Sequence, residues 1–206
     1  MITVIAGVNG AGKSSLVGSN IRHNGGDYFN PDEVAQGLIA RNRNMTAVEA
    51  NAAAWQIGHD QLSRAISGGG DYILETTLGG HSICALLHQA IDAGQVVQIF
   101  FCGLESPELH IERVAARVAK GGHPIPESKI RERWVASILN MQGLLPRCAA
   151  AKVYDNSAEL IKGRPSPKCL FSLSADHFDA APVADMPSWA KPLALAAMRR
   201  VAEAQS

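Results

Sequence analysis

The sequence has no excess of charge of either sign. Its 206 residues include 19 Lys and Arg and 19 Asp and Glu. A balanced chain has no overall positive field, so a general attraction to nucleic acid or to an anionic membrane is not expected. Basic residues interleaved with aromatic residues, which would form a platform for single-stranded nucleic acid, are also lacking. We therefore expect neither nucleic acid nor a membrane as a partner.

Paired cysteines and long apolar runs are lacking as well. The four cysteines, Cys84, Cys102, Cys148 and Cys169, are far apart and form no CxxC pair, which predicts isolated, reduced thiols. The histidines form no HxxxH pattern, so a zinc site is not expected. No apolar run is long enough to span a bilayer, and the first residues lack the basic segment of a signal peptide. We therefore expect a cytoplasmic protein.

The chain does contain short apolar runs that alternate with longer helical patterns. This alternation is typical of a parallel sheet with crossover helices. The expected strands are 2–6, 27–30, 72–77, 96–102 and 152–155, with 170–173 as a candidate edge strand. The expected helices are 13–19, 31–41, 47–67, 82–93, 106–120, 127–145 and 189–204. The length fits one domain over residues 1–206, an α/β fold with a mostly parallel five-stranded sheet.

A glycine-rich segment follows the first expected strand. Residues 7–14 read GVNGAGKS and match the phosphate-binding pattern GxxxxGKS/T in full. The glycines let backbone N–H groups converge on phosphates at a helix N-terminus, Lys13 would reach the β- and γ-phosphates, and the Ser14 hydroxyl would bind Mg²⁺. The expected nucleotide contacts are Gly7, Asn9, Gly10, Ala11, Gly12, Lys13, Ser14 and Ser15. We therefore predict a three-layer P-loop fold that binds Mg²⁺ and ATP, in preference to GTP.

Acidic residues lie at the ends of two further expected strands. Asp32 follows the second strand, where a carboxylate can accept the proton of a hydroxyl that attacks the γ-phosphate. Asp32 and Glu33 would equally favour the first turn of a helix through its dipole. Glu75 and Thr77 end the third strand, where motor-type ATPases carry several apolar residues and then Asp. These polar groups fit a polar substrate, although β-propensity and a surface position would also explain them.

A basic stretch follows the fourth expected strand. Arg113, Arg117 and Lys120 lie three and four residues apart and share one helix face. A GGH turn with prolines follows, and then a second helix with Arg131 and Arg133. This pattern predicts a helical lid over about residues 113–133 that closes on the phosphates, stabilises the transferred charge and excludes water. A solvated helix face is the alternative.

Five segments in this order resemble the zeta-toxin-like P-loop kinases over about residues 1–160. They read GVNGAGKS, NPDEVA, LETTLGG, ERVAARVAKGGHPIPESKIRERW and VYDNS. The resemblance implies ATP-dependent phosphorylation of a small-molecule hydroxyl, as on UDP-N-acetylglucosamine and related nucleotide sugars. It implies that Asp32 is the general base, that Glu75 and Thr77 hold the substrate, and that Arg113 is the first lid arginine.

The second lid arginine of that family has no clear counterpart here. His123, Arg117 or Arg131 could take its role. Because the lid departs from the family pattern here, the identity of the phosphate acceptor is left open. Asn156, after the last strand, is a candidate contact for the adenine or an ordinary turn residue. Residues from about 163 onward are expected to form a C-terminal extension that packs on the core. The sequence does not indicate an antitoxin-like protein partner.

Two other functions fit parts of the pattern. A P-loop ATPase or nucleotide switch that acts on a protein partner needs a Walker B carboxylate, for which Glu75 is available. It also needs a residue that positions water, for which the sequence offers no clear candidate. A nucleotide-binding module without turnover is the third alternative, and the intact Lys13–Ser14 pair argues against it. A small-molecule kinase is therefore the main prediction.

Overall fold

The fold is known from a computed structural model, which describes residues 1–159, 166–175 and 177–204. Within these residues a single sheet contains the strands β1 (Ile2–Ala6), β2 (Tyr72–Thr76), β3 (Val97–Gly103), β4 (Ala150–Asp155), β5 (Lys168–Leu173) and β6 (Phe178–Ala180). The strand order is β2-β1-β3-β4-β5-β6. The first four strands are mutually parallel, whereas β5 and β6 each run antiparallel to the strand before. The predicted mostly parallel α/β fold is confirmed.

Seven α-helices connect or follow the strands in the described ranges. They are α1 (Ser19–His23), α2 (Pro31–Arg41), α3 (Ala47–Gly68), α4 (His81–Asp92), α5 (Pro107–Val118), α6 (Glu127–Leu144) and α7 (Lys191–Ala204). A π-helical segment, Ser14–Gly18, precedes α1. Local sequence sets several ends: Thr46 and Glu49 form a capping box, and Gly69 ends α3 at a φ of 67°. No helix in the described part of the chain is long and apolar enough to cross a membrane.

Helices cover the two faces of the sheet unequally. On one face, side chains of α3, α4, α6 and α7 bury the alternate residues of the strands in the largest apolar cluster, which includes Val4, Phe101 and Leu193. On the other face, the helix after the phosphate loop covers Ile5 with Val17. The sheet therefore lies between two helical layers, with the carboxyl ends of its parallel strands at one edge, where ligands of such sheets bind.

The predicted second strand was wrong. Residues 27–30 form only an isolated bridge, Phe29 to Leu74, beside β2. Extended pairing stops there because Asn30 immediately caps α2, its side chain accepting from the backbone N–H groups of Asp32 and Glu33. The bridge nevertheless fixes the start of α2 next to the end of β2, since Glu75 N donates to Phe29 O at 2.8 Å.

The C-terminal region also differs from the expectation. The described sheet has six strands and not the five expected. The strand β5 is not the edge strand, because β6 pairs with its outer side. The three residues of β6 were too short to give an alternating pattern. Trp189 is 4% exposed and packs against Phe101, their ring centroids 6.0 Å apart, so α7 starts from a buried anchor. Residues 163–165, at the start of the expected extension, lie outside the described residues.

Candidate functional site

The backbone of the phosphate loop can form only with glycine at specific positions. Gly7, Gly10 and Gly12 have φ values of 139°, 87° and 88°, which residues with a Cβ rarely adopt. A Cβ on Gly7 would lie 2.1 Å from Cys102 O in β3. The loop therefore combines left-handed backbone with close packing on the next strand, and both features follow from the glycines of the motif.

Polar side chains beneath the loop hold its carbonyl groups. Asn156 Nδ2 and Cys102 Sγ both donate to Ala11 O, at 2.9 and 3.0 Å. His110, on α5, donates from Nδ1 to Asn9 O at 2.8 Å. Asn156 is only 1% exposed and uses its amide nitrogen on the loop. The structure thus shows Asn156 as a support of the loop, and a contact with adenine stays a prediction.

His110 is a neutral imidazole in this environment. Burial lowers the pKa of His110 to about 4, while its hydrogen bond to Asn9 acts in the opposite direction and the nearby Lys13 and Arg113 lower the pKa further. Because a carbonyl can only accept, the single ring proton must be on Nδ1. His110 therefore adds no charge beneath the loop.

Lys13 and Ser14 both contact Glu75. Lys13 Nζ lies 3.4 Å from Glu75 Oε1, and the two side chains are 7% and 9% exposed. Ser14 Oγ donates to Glu75 Oε2 at 2.8 Å. The resemblance implies that Glu75 holds the substrate, yet its carboxylate faces the two phosphate-loop side chains expected to bind phosphate and metal. Ser15, beside them, is exposed, and its carbonyl accepts from Ser19 Oγ at 2.7 Å.

The oxygen atoms of Ser14 and Glu75 fit Mg²⁺, which takes oxygen ligands and is usually held by one or two protein groups together with phosphates and water. Among the described residues there is no group of three or more His, Cys, Asp or Glu that could hold a metal by itself. A cation at Ser14 would therefore take most of its ligands from the nucleotide and from water.

Asp32 and Glu33, neighbours in the first turn of α2, have different partners. Asp32 lies against the lid, with its Oδ2 3.5 Å from Arg117 Nη1 and its Oδ1 3.7 Å from His123 Nε2. Glu33 instead pairs with Arg22 at 2.6 Å. The helix dipole alone would stabilise both carboxylates equally. The placement of Asp32 against the lid, away from Glu33 and its partner, therefore favours a functional role for Asp32.

Arg117 organises the lid turn that brings His123 to Asp32. Its Nη2 donates to His123 O at 3.2 Å, and its own carbonyl accepts from Gly122 N at 3.0 Å. Gly121 takes a φ of 91° and thereby reverses the chain. Arg117 Nε is buried and has no hydrogen-bond partner among the described residues. Of the three candidates for the second lid arginine, Arg117 and His123 thus meet at the expected base.

Arg113 and Arg131, two other expected lid residues, have partners other than Asp32, although Arg113 lies beside Gly10 of the phosphate loop. Arg113 Nη2 donates to Ala158 O at 3.3 Å, beside the loop after β4. Arg131 pairs with Glu108 on the exposed surface, and its place over the phosphates stays a prediction. Both side chains lie on helices whose other faces are committed to the core, and this fixes the directions in which they point.

Arg133 reaches the phosphate loop in place of Arg131. Its Nη1 donates to Asn9 Oδ1 at 2.9 Å, and its stem passes Gly79, where a Cβ would lie 2.7 Å from Arg133 Cγ. Residues two apart on a helix are rotated by about 200°, so only one of the two arginines can face the loop. The sequence did indicate arginines near the site, since both lie in the basic stretch. Which of the two faces the loop could not be assigned without knowing how the helix packs.

Thr77 lies in a tight turn after β2. Its Oγ1 accepts from Gly79 N at 3.4 Å, which leaves the hydroxyl proton available for a ligand. The next residue, Leu78, has a φ of 55° although it is not glycine, and Asn140 Nδ2 holds its carbonyl at 2.8 Å. Such strained backbone is common beside binding sites. Here it connects Thr77 to Gly79, against which the Arg133 side chain packs.

Comparison with known proteins gives the family and the fold. Residues 2–134, more than half of the chain, match the family described as AAA domain (AAA_33). A Haemophilus influenzae protein described as uncharacterized is 28% identical over 128 residues, which are 62% of this chain and 88% of that protein.

Two solved structures resemble the chain at low sequence identity. A chain of the AvrRxo1-ORF1:-ORF2 structure with ATP has a TM-score of 0.65 at 13% identity, over 87% of this chain and 60% of that chain. A chain of the PezAT chromosomal toxin–antitoxin system of Streptococcus pneumoniae has a TM-score of 0.57 at 16% identity, over 98% and 85%. This chain therefore spans about 60% of the length of the AvrRxo1 structure. The chain shares its α/β fold with these structures, as the sequence implied, and it belongs to the AAA domain family AAA_33.

Proposed function

We propose that this protein is an ATP-dependent phosphotransferase that moves the γ-phosphate to a hydroxyl of a small molecule. The observation that carries the proposal is the position of Asp32, whose carboxylate lies between Arg117 and His123 of the lid. A carboxylate that meets the lid, at the strand-end edge where the loop binds phosphates, is suited to take the proton of an attacking hydroxyl.

The positive side chains of the site would stabilise the charge of the transferred group. Lys13 lies in the loop, and Arg133 reaches it through Asn9, while Arg117 approaches from the lid. Fixed cations near a transferring phosphoryl group contribute mainly electrostatic stabilisation. Mg²⁺ held at Ser14 would neutralise further charge on the β- and γ-phosphates.

The acceptor would lie between Asp32 and the turn after β2. Thr77 offers a hydroxyl there, and His123 offers a ring N–H from the lid. The resemblance to zeta-toxin-like kinases suggests a nucleotide sugar such as UDP-N-acetylglucosamine. Glu75 contributes less to this pocket than the resemblance implies, because both of its oxygens contact the phosphate loop.

A second candidate function is a P-loop ATPase or nucleotide switch that acts on a protein partner. The position of Glu75 against Lys13 and Ser14 favours it, because Walker B carboxylates lie there. The structural neighbours come from an ORF1:ORF2 complex and a toxin–antitoxin system. An antitoxin-like protein is therefore the partner class to test for this chain.

The decisive experiment supplies labelled ATP and Mg²⁺ with a panel of nucleotide sugars, sugars and nucleosides. We expect a phosphorylated small molecule from the wild type and at least about a 100-fold loss of transfer in Asp32→Asn, since general-base catalysis contributes on that order. Binding of ATP to the variant, measured by calorimetry, should stay within about twofold, because Asp32 contacts the lid and not the loop.

Glu33→Gln is the matched control, because Glu33 is the next residue and pairs with Arg22 outside the site. Its transfer rate should equal that of the wild type. Release of free phosphate only when a second protein is added would contradict the kinase and support the switch. Loss of ATP binding in Asp32→Asn would show that Asp32 serves the nucleotide or the fold.

A further inference from the structure

The helix α6 carries polar residues on the side that faces the protein. Apolar residues dominate its buried stripe, as expected for a helix that packs on a sheet. Arg133, Ser137 and Asn140 nevertheless follow one another at spacings of four and three residues, which places them along one side of the helix. Ser137 turns its hydroxyl back to the helix, donating to Trp134 O at 3.2 Å. Arg133 and Asn140 reach beyond the helix, so their partners identify what this side holds.

Asn140 holds the turn after β2, residues 77–80. Its Nδ2 donates to Leu78 O at 2.8 Å and lies 3.5 Å from Gly80 O. Both partners are carbonyl groups, which can only accept, so the amide nitrogen of Asn140 must be the atom that faces them. The turn is thereby tied to α6.

The same helix is also tied to the phosphate loop. Arg133 Nη1 donates to Asn9 Oδ1 at 2.9 Å. A Cβ on Gly79 would lie 3.2 Å from Arg133 Cα and 2.7 Å from its Cγ, so the helix backbone passes close to the turn. Because α6 is one continuous helix of 18 residues, it sets the distance between the turn and the phosphate loop.

Leu78 needs a restraint from outside the turn because its backbone is strained. Its φ of 55° lies in the left-handed region, which a bulky side chain rarely adopts. The side chain of Leu78 is buried in the core, but this does not fix the orientation of its carbonyl. Leu78 N donates to Thr76 Oγ1 at 3.1 Å, and the carbonyl also lies 4.0 Å from Cys84 Sγ, a weak donor. Among the described residues, Asn140 is therefore the strongest donor to this carbonyl.

The turn presents Thr77 next to the phosphate loop. Thr76 O accepts from Gly7 N at 3.2 Å, so the turn begins directly beside the loop. Thr77 Oγ1 accepts from Gly79 N at 3.4 Å, which ties the direction of the hydroxyl to the backbone of the turn. A rotation at Leu78 would move Gly79 and release the Thr77 hydroxyl.

We propose that Asn140 is a positioning residue for the phosphate acceptor. By holding the carbonyl of Leu78, it keeps the Thr77 hydroxyl at a fixed distance from the phosphate loop, where an acceptor can bind it. Groups held in place before the substrate arrives lose less entropy when they bind it. The inference rests on the proposed function, and Asn140 acts in it through Leu78 and Thr77 and not through the reacting atoms.

The first measurement needs no acceptor. Amide hydrogen exchange of residues 76–82 reports whether the turn is held, and we expect it to be at least about tenfold faster in Asn140→Ala than in the wild type. Leu139→Ala is the matched control, since Leu139 lies on the same helix and is 60% exposed, and its exchange should not change. Calorimetry with a non-hydrolysable ATP analogue and MgCl₂ should give equal affinities for the three proteins, because Asn140 contacts the turn and not the loop.

The second measurement follows transfer from labelled ATP to UDP-N-acetylglucosamine, or to the member of the acceptor panel that the wild type phosphorylates fastest. We expect the KM for the acceptor to rise roughly 5–10-fold in Asn140→Ala, as when one hydrogen bond is lost. The kcat and the KM for ATP should stay within about twofold, because a contact made equally in the ground state and the transition state affects only KM. Leu139→Ala should keep all three values.

Two further variants separate hydrogen bonding from packing. Asn140→Asp has the same shape as the wild type, but its carboxylate cannot donate and faces two carbonyl groups. Its acceptor KM should rise at least as much as that of Asn140→Ala, and it keeps the test available if the alanine variant fails to fold. Asn140→Gln keeps a donor and should recover part of the affinity. Urea unfolding curves establish that each variant is folded in the assay.

Three outcomes would overturn the inference. Unchanged exchange in Asn140→Ala and Asn140→Asp would show that the turn is held without Asn140. Faster exchange with an unchanged acceptor KM would show that the turn is not part of the acceptor site. Weaker binding of the ATP analogue would show that Asn140 supports the phosphate loop instead.

The same measurements separate this inference from the proposed function. A wild type that phosphorylates no member of the panel contradicts the proposed function and, with it, the acceptor role of the turn. A kinase whose acceptor KM is insensitive to Asn140→Ala and Asn140→Asp contradicts only the inference.

Discussion

The phosphate-binding floor and the lid are built in different ways. We define the floor as residues 7–14 with the side chains beneath them, Glu75, His110 and Asn156, and the lid as residues 113–133. Most floor side chains are almost fully buried, with Lys13 6% and Asn156 1% exposed, whereas Ser14 at the end of the loop is exposed. In the lid, the side chains of Arg117 and His123 are 37% and 25% exposed, and that of their partner Asp32 is 32% exposed.

The contacts differ in the same direction as the exposure. Three floor hydrogen bonds are 2.8–3.0 Å long and buried, and breaking one would leave an unpaired group at a cost of about 1–3 kcal/mol. The lid meets Asp32 through longer contacts, at 3.5 Å to Arg117 and 3.7 Å to His123, and ion pairs near the surface contribute only about 0–1 kcal/mol. The floor is therefore the more rigid of the two regions, whereas the lid can exchange partners, as the closing segment in the proposed function would have to.

The largest expected effect tests the rigidity of the floor. Gly7→Ala places a Cβ 2.1 Å from Cys102 O at a φ of 139°. We expect a loss of at least about 3 kcal/mol of unfolding free energy and loss of ATP binding, because neither strand nor loop can move away. Urea denaturation and calorimetry measure the two effects.

Gly37→Ala, in α2, is the control for this substitution. A Cβ on Gly37 meets nothing within 4 Å, so the variant should be as stable as the wild type or more stable by about 0.5–1 kcal/mol. If the Gly7→Ala protein binds ATP as tightly as the wild type does, the floor is not more rigid than the lid.

The second prediction concerns the arginine that joins lid and floor. Arg133→Ala removes the donor to Asn9, and we expect kcat/KM for phosphate transfer to fall about 100-fold, as when one group that stabilises transition-state charge is lost. Arg131 lies two residues earlier on the same helix and pairs with Glu108, so the kcat/KM of the Arg131→Ala variant should not change. Equal effects of the two substitutions would mean that α6 rotates in the active complex.

The smallest expected effect is the pH dependence of the floor. The pKa of His110 is about 4 in the folded protein, against about 6.5 in an unfolded chain. Between these values the unfolded chain binds more protons, so stability is lost as the pH falls from 6.5 to 4. Between pH 7 and pH 5 the loss should be about 2 kcal/mol.

Urea denaturation at the two pH values measures this loss, and it should disappear in His110→Gln. His23→Gln, at the exposed end of α1, should keep the slope of the wild type. An unchanged slope in His110→Gln would show that the imidazole beneath the loop is not held neutral, and the floor would then be less closed to water than the structure indicates.

Local signals predicted much of the fold. The helix Pro31–Arg41 was predicted with its bounds as found, because Pro31 at the first position and Asn30 before it are start signals that act within a few residues. The Thr46–Glu49 capping box was equally readable. The same approach gave a wrong strand at residues 27–30. Their extended pattern does not reveal that the helix cap at Asn30 ends the strand pairing after one bridge.

The sequence by itself determined the phosphate loop, because its glycines, Lys13 and Ser14 act through backbone geometry within eight consecutive residues. Only the tertiary structure decided which distant side chains join that loop. Arg133 rather than Arg131 reaches Asn9, and Glu75 faces Lys13 and Ser14. The physical reason is that such contacts depend on the rotation of a helix about its axis and on the register of neighbouring strands, which are set by packing between segments far apart in the chain.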